Sequence, residues 1–328
     1  MEDPSVNPAA SAKKDFDRLG MALFAIAAAT ILLQLLFGRL AASGRIQTEN
    51  SWLVWVLTFA PLYLVGIPIG LLIMRSVPAE HGAGEPLRFG QFLIFLLMCF
   101  PLMYAGNLVG TMLSLFLSGG TAENPLNGLV FDTSPLKILV IVVLAPLAEE
   151  YVFRKQLIDR TARYGEKTAI LFSALSFGLF HMNLFQFFYA FALGLLFAYV
   201  YLRTRRLRYS LAMHMIVNFL GSVLAPFILS LLDGDMLDQL MAGQVDPEAV
   251  LDYLPQLLAL MAYSSALMGL SVAGLVMLIV RRRRFVFRPA EQELPADQVF
   301  TGAFLRPGYV FFTLLCAVIC VFSLIGSV

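Results

Sequence analysis

Charge is scarce in this chain. Of 328 residues only 14% are Asp, Glu, Lys or Arg, while 59% are hydrophobic. Soluble domains carry about a quarter charged residues and roughly half apolar ones. A chain so poor in charge cannot hide its apolar side chains in one water-soluble core, so much of it must face lipid. The charges it has nearly cancel, 23 basic against 22 acidic for a net +1, which gives no ground for a nucleic-acid or an acidic partner. Cysteine is scarce as well. Cys99, Cys316 and Cys320 all lie in apolar runs and none stands in a CxxC spacing, which argues against a disulfide framework or a cysteine-based zinc site. A cleavable signal is missing too. Residues 1–18 are polar, the apolar run after them exceeds a signal h-region, and no clear small-residue cleavage site follows. No repeat of fixed period and no low-complexity tract is present.

What fills the chain instead is long apolar runs. A bilayer core of roughly 30 Å takes about 20 apolar residues per helix. On that rule spans are expected near 20–41, 52–74, 89–117, 135–158, 167–181, 184–202, 209–232, 256–280 and 307–326. The fold class is therefore an all-α, polytopic transmembrane bundle of about eight to nine spans. Trp52 and Trp55 open the second span, where aromatic belts usually sit. Lys13, Lys14 and Arg18 precede the first span. Further basic groups stand at Arg75 and Arg88, at Lys155 to Lys167, at Arg203 to Arg208, and at Arg281 to Arg288. The alternate loops are nearly bare of Lys and Arg, with only Arg45 in the first. By the positive-inside rule the N-terminus is cytoplasmic and the C-terminus outside, which requires an odd number of crossings. Nine satisfies it.

The same count bears on 168–202. A single helix of about 35 residues would be roughly 52 Å long and would put two basic clusters on opposite sides. A hairpin turning near His181-Met182-Asn183 keeps both inside. The chain then divides into an N-terminal tail (1–18), N-terminal membrane helices (19–133), a four-helix core (134–232), an acidic outer loop (233–255) and C-terminal helices (256–328). The outer loop holds Asp233, Asp235, Asp238, Asp246, Glu248 and Asp252 with no basic residue, a solvated face. Compact loops and the lack of targeting signals fit a bacterial cytoplasmic membrane.

Ionisable groups inside a span are costly and mark functional sites by default. Here they concentrate in spans four to seven. Glu149 and Glu150 are adjacent, so they point about 100° apart on a helix. Glu150 precedes Arg154 by four residues, the favourable order for a helical ion pair. That pairing leaves Glu149 unpaired and facing elsewhere, with Pro146 one turn before it. Phe177 and His181 share a face at i, i+4, and so do His214 and Asn218. Each group has an ordinary structural explanation: an ion network, a satisfied polar residue, or a helix–helix hydrogen bond. Together they are stronger. Two of the three histidines fall in neighbouring membrane helices, at depths of about 9 and 20 Å from the basic clusters, with Glu149 at about 16 Å. His81, in a Pro/Gly-rich loop, reads as solvated.

In this order and on separate helices, Glu149-Glu150…Arg154, Phe177…His181 and His214…Asn218 resemble the CPBP family of CAAX-type prenyl proteases and bacteriocin-processing or immunity proteins. That family's pattern is EExxxR, FxxxH and HxxxN or HxxxD, and no defining position departs from it over about 134–232. The resemblance implies an intramembrane endopeptidase acting on a peptide or protein substrate, prenylated or a leader peptide. Its core would be spans four to seven.

The residue types suit hydrolysis by activated water. Glu149 is the expected general base, with His181 as the water partner and His214 and Asn218 as oxyanion donors. Glu150 and Arg154 support the helix, and Phe177 packs beside His181. The preferred scheme needs no cofactor. A zinc version would use Glu149, His181 and His214 as ligands, since two His and one carboxylate form a known catalytic set. It lacks an HExxH helix and must find its base elsewhere. Ser173, Ser176 and Ser210 lack a nucleophile's context and are expected to back-bond within their helices. Gly234-Asp235 lies in the acidic loop, which argues against an aspartyl type. Two other functions remain open: a non-enzymatic immunity or partner-binding protein, and a transporter, although no matching breaks in two halves support the latter.

Overall fold

The computed structural model describes residues 8–46, 51–80, 82–124, 135–232 and 251–325, with 234, 236, 239, 242 and 243 between the last two stretches. His81, Asp233, Asp235, Asp238, Asp246 and Glu248 lie outside the described residues. Among those described, every regular element is helical. Nine main helices follow in order: α1 (Pro8–Ala42), α2 (Trp52–Met74), α3 (Phe89–Leu117), α4 (135–161), α5 (Glu166–Phe180), α6 (Leu184–Thr204), α7 (Leu207–Leu229), α8 (Leu254–Arg281) and α9 (Pro307–Ile325). Their bounds fall close to those read from hydropathy. One difference is at the start, where α1 begins inside the stretch read as a tail and carries Lys13, Lys14, Asp15, Asp17 and Arg18 on its first turns.

Seven of the nine are long and apolar enough to cross a membrane. The other two are α4, which carries Glu149, Glu150, Arg154 and Lys155, and α5, whose 15 residues reach only about 22 Å. Large apolar side chains stay exposed along the rest, among them Leu36, Leu64, Phe116, Met268 and Phe322. Apolar surface on that scale requires a lipid solvent. Trp55 departs from the belt reading. It is 2% exposed and stacks on Phe59 with ring centroids 5.4 Å apart, while Trp52 is exposed.

α6 is the most enclosed of the membrane-length helices, packed along α3 and α5, while α1 packs on α9 and α2, and α8 on α3. Without a hydrophobic drive between helices in lipid, close backbone approach carries the packing. At Gly110 a Cβ would stand 2.7 Å from the Leu184 carbonyl oxygen, so a side chain there would force α3 from α6. Gly274 meets the Leu97 carbonyl across α8 and α3 even more tightly.

The basic loops gather at one end of the bundle. Asp15 pairs with Arg163 at 2.6 Å and accepts from the Tyr164 hydroxyl. Burial and that carboxylate push Tyr164 above its ordinary pKa. Arg205 pairs with Asp159 at 3.0 Å and Arg203 with Glu166. Arg160 donates to the Met74 carbonyl, the Gly308 N–H to Asp17 and the Leu294 N–H to Tyr164. The loops that charge counting put on one side thus meet physically. This fits the hairpin, with α5 ending at Phe180 and α6 starting at Leu184.

A candidate active site between four helices

The helix bearing the two glutamates is not regular. α4 widens to π-type turns at Ile138–Leu144 and Glu150–Gln156, with Ala145–Glu149 between them in α conformation. Pro146 supplies a local cause, since it has no N–H for the helical ladder and its ring crowds the preceding turn. Widened turns of this kind re-aim side chains and recur at functional sites. Here they split the adjacent carboxylates between two environments.

Glu150 points into protein. Its Oε1 lies 3.2 Å from Arg154 Nη2, with both side chains fully buried, as the i, i+4 spacing required. The same oxygen lies 3.1 Å from His214 Nδ1. Arg154 also stacks over the Phe177 ring, 4.4 Å from its centroid, and donates to Ser173 Oγ at 3.4 Å. The pair therefore has a third member that spacing could not show. Ser173 corrects the back-bonding expectation, because its hydroxyl donates to Phe153 O of α4 at 2.6 Å. Ser176 and Ser210 do bond within their own helices.

Glu149 faces a different space, a cavity of about 220 Å3 that it shares with Phe177, His181, His214 and Asn218. Its Oε2 is 3.6 Å from His214 Nε2, an ion-pair distance that is long for a hydrogen bond. His214 thus spans the two glutamates, Nδ1 to one and Nε2 towards the other. His181 ends α5, and its Nδ1 lies 2.8 Å from the Phe177 carbonyl. A carbonyl only accepts, so Nδ1 carries a proton, and in the neutral ring Nε2 then holds the lone pair. The turn after it needs Met182 at φ +50°, and Asn183 caps α6 by accepting from the Phe185 N–H. Phe177 stands edge-on to both imidazoles, 4.9 Å from His181 and 5.7 Å from His214. Asn218 Nδ2 donates to the Ile141 carbonyl of α4 at 2.9 Å, which leaves one amide hydrogen for the cavity.

Sequence reading missed part of the wall. Gln186, Tyr189 and Ser222 also line the cavity, and Gln186 donates to the Tyr189 hydroxyl at 2.8 Å. A polar pair at i, i+3 within an apolar span was the available signal. Among the described residues no three His, Cys, Asp or Glu side chains stand where they could hold a metal ion. Glu149, His181 and His214 share a cavity without forming such a group.

Two comparisons with known proteins found a match. The sequence model of the type II CAAX prenyl endopeptidase Rce1-like family matches residues 131–220, the stretch that runs from α4 into α7. A Bacillus subtilis (strain 168) protein named "Putative membrane peptidase YdiL" is 29% identical over 198 residues, covering 58% of this chain and 80% of the relative. No solved structure matches the chain significantly. Both matches fall on the resemblance that the motifs carry: residues 131–220 are similar to the Rce1-like prenyl endopeptidases and the chain is similar to a membrane peptidase, which supports a protease of the CPBP type.

Proposed function

We propose that the chain is an intramembrane endopeptidase that hydrolyses a peptide bond with water activated by Glu149 and His181. One observation carries the reading: the cavity between α4, α5, α6 and α7 gathers Glu149, His181, His214 and Asn218, while Glu150 is taken up by Arg154 and His214. A water between Glu149 and the Nε2 lone pair of His181 gives up a proton to the carboxylate as its oxygen attacks the carbonyl carbon. The oxyanion that forms is met by the free amide hydrogen of Asn218 and by His214. Glu149 then returns its proton to the amine nitrogen as the C–N bond breaks, so one water and one peptide bond become an acid and an amine.

His214 meets a condition in this scheme. Its Nδ1 is committed to Glu150, so Nε2 donates to an oxyanion only if the ring carries both protons.

The glutamate-dependent scheme is proposed over a metal-dependent one because it leaves Glu149 free as the base, whereas a zinc set would take Glu149 as a ligand and need its base elsewhere. We further propose that the basic end of the bundle faces the cytoplasm of a bacterial cell, and that the substrate is a membrane-associated peptide, prenylated or a leader. The test is the full-length protein in nanodiscs, offered a peptide library with and without a farnesyl group, beside Glu149→Gln. Cleavage that needs Glu149 supports the reading. Peptides bound but left intact would assign the chain to the partner-binding class instead.

A further inference from the structure

The catalytic cavity is not the largest opening in the protein. At the end of the bundle where the basic loops gather, a cavity of about 580 Å3 opens between the start of α3, the end of α6 and the end of α8. Five guanidiniums line it, those of Arg88, Arg203, Arg281, Arg284 and Arg288, against one carboxylate, Glu85. Arg203 is paired with Glu166. The side chains of Arg88, Arg281, Arg284 and Arg288 have no carboxylate partner among the described residues. The first turn of α3, a helix of 29 residues, also forms part of the wall through Gln91, adding the positive end of a helix dipole. Positive charge is thus concentrated here well beyond what local pairing uses.

The inner wall of this cavity is apolar, through Ile94, Phe95 and Met98. Through Tyr199 and Phe285 it adjoins a second cleft of about 300 Å3, in which every lining residue except Tyr199 is apolar. That cleft runs between α3, α5, α6 and α8 past Leu102, Ile170, Ala192 and Leu278. Neither opening shares a lining residue with the cavity that holds Glu149.

We propose that this pair of openings is a binding site for an anionic phospholipid, its phosphate held by the arginines and an acyl chain laid in the apolar cleft. Arg forks match phosphate oxygens in geometry as well as in charge, and basic pockets between membrane helices suit anionic head groups. A free phosphate would satisfy the arginines but would have no use for the cleft. The site is separate from the peptidase reading and stands or falls without it.

The test uses the full-length protein in a mild neutral detergent, with bound lipid read by native mass spectrometry. The probes are long-chain phosphatidylglycerol, short-chain dihexanoyl phosphatidylglycerol, long-chain phosphatidylcholine and inorganic phosphate. The long-chain anionic lipid should bind tightest, and neither phosphatidylcholine nor inorganic phosphate should displace it. Replacing Arg284 and Arg288 together by Gln should weaken it by roughly fivefold per arginine. Arg282 and Arg283 belong to the same basic run but do not line the cavity, and their double Gln variant should change affinity by less than about twofold. Ala192→Phe, placed in the cleft, should weaken the long-chain lipid while sparing the short-chain one. It serves as a second arm if the arginine variants fold poorly. Equal losses in the two arginine doubles would mean a diffuse surface charge and overturn the proposal. Displacement by inorganic phosphate at comparable concentration, or no effect of Ala192→Phe on long-chain binding, would overturn it too.

Discussion

Substituting each of the two adjacent glutamates by Gln should damage the protein in opposite ways. Glu150 is fully buried and shared between Arg154 at 3.2 Å and His214 at 3.1 Å. Replacing it leaves a guanidinium buried without its counter-charge, and breaking such a pair costs about 3–5 kcal/mol in proteins. Glu149 borders a cavity and is 3.6 Å from its nearest ionic partner, so Gln there should cost less than about 1 kcal/mol of stability. Its catalytic cost is another matter. A general base contributes about 100- to 10,000-fold, or about 3–5 kcal/mol of barrier at 1.36 kcal/mol per decade. Glu149→Gln should therefore keep the wild-type melting temperature in nanodiscs and lose at least a hundredfold in kcat. Glu150→Gln should melt earlier, and its loss of rate should track the loss of folded protein. Both are read by cleavage of a fluorogenic peptide and by tryptophan-fluorescence melting of the same sample. If Glu149→Gln stays within tenfold of wild type, or if Glu150→Gln is silent in stability yet dead in rate, the division of labour between the two carboxylates is wrong.

Asn218→Ala should cost about 100-fold in kcat with KM within about twofold, the pattern expected when a donor acts only on the transition state; an effect confined to KM would move Asn218 to substrate binding. Activity should survive exhaustive treatment with a strong chelator, and metal analysis of the purified protein should find no stoichiometric zinc. Loss of activity on chelation, restored by added zinc, would reinstate the set of Glu149, His181 and His214. Gly274→Ala, where the added Cβ would collide with the Leu97 carbonyl, should destabilise by about 1–3 kcal/mol as an overpacked contact, seen as a lower melting temperature with the rate per folded molecule unchanged.

Helix positions were readable because the bilayer imposes a length. α3 falls on 89–117 in both readings, and the hairpin at 181–183 followed from helix length and loop charge together. The Glu150–Arg154 pair was readable because i, i+4 is local geometry. What could not be read was anything set by two helices meeting. His214 reaching Glu150, Ser173 bonding to α4 rather than to its own helix, and Asn218 donating to the Ile141 carbonyl all depend on how α4 lies against α5 and α7. Trp55 was misread for the same reason: a belt residue and a buried one look alike until the neighbouring helix is in place.

That limit has a chemical consequence for the His214–Asn218 face. From spacing alone His214 is a donor with two free ring nitrogens. With Nδ1 given to Glu150, only Nε2 remains, and it points towards Glu149 Oε2. At 3.6 Å that contact is an ion-pair distance and long for a hydrogen bond, so Nε2 stays available to a group in the cavity. Glu150 and Arg154 then do more than brace the helix. They hold the His214 ring by its Nδ1 and so fix which nitrogen faces the cavity. The EExxxR spacing and the distant HxxxN are therefore joined, through Glu150 and His214, in one buried polar network.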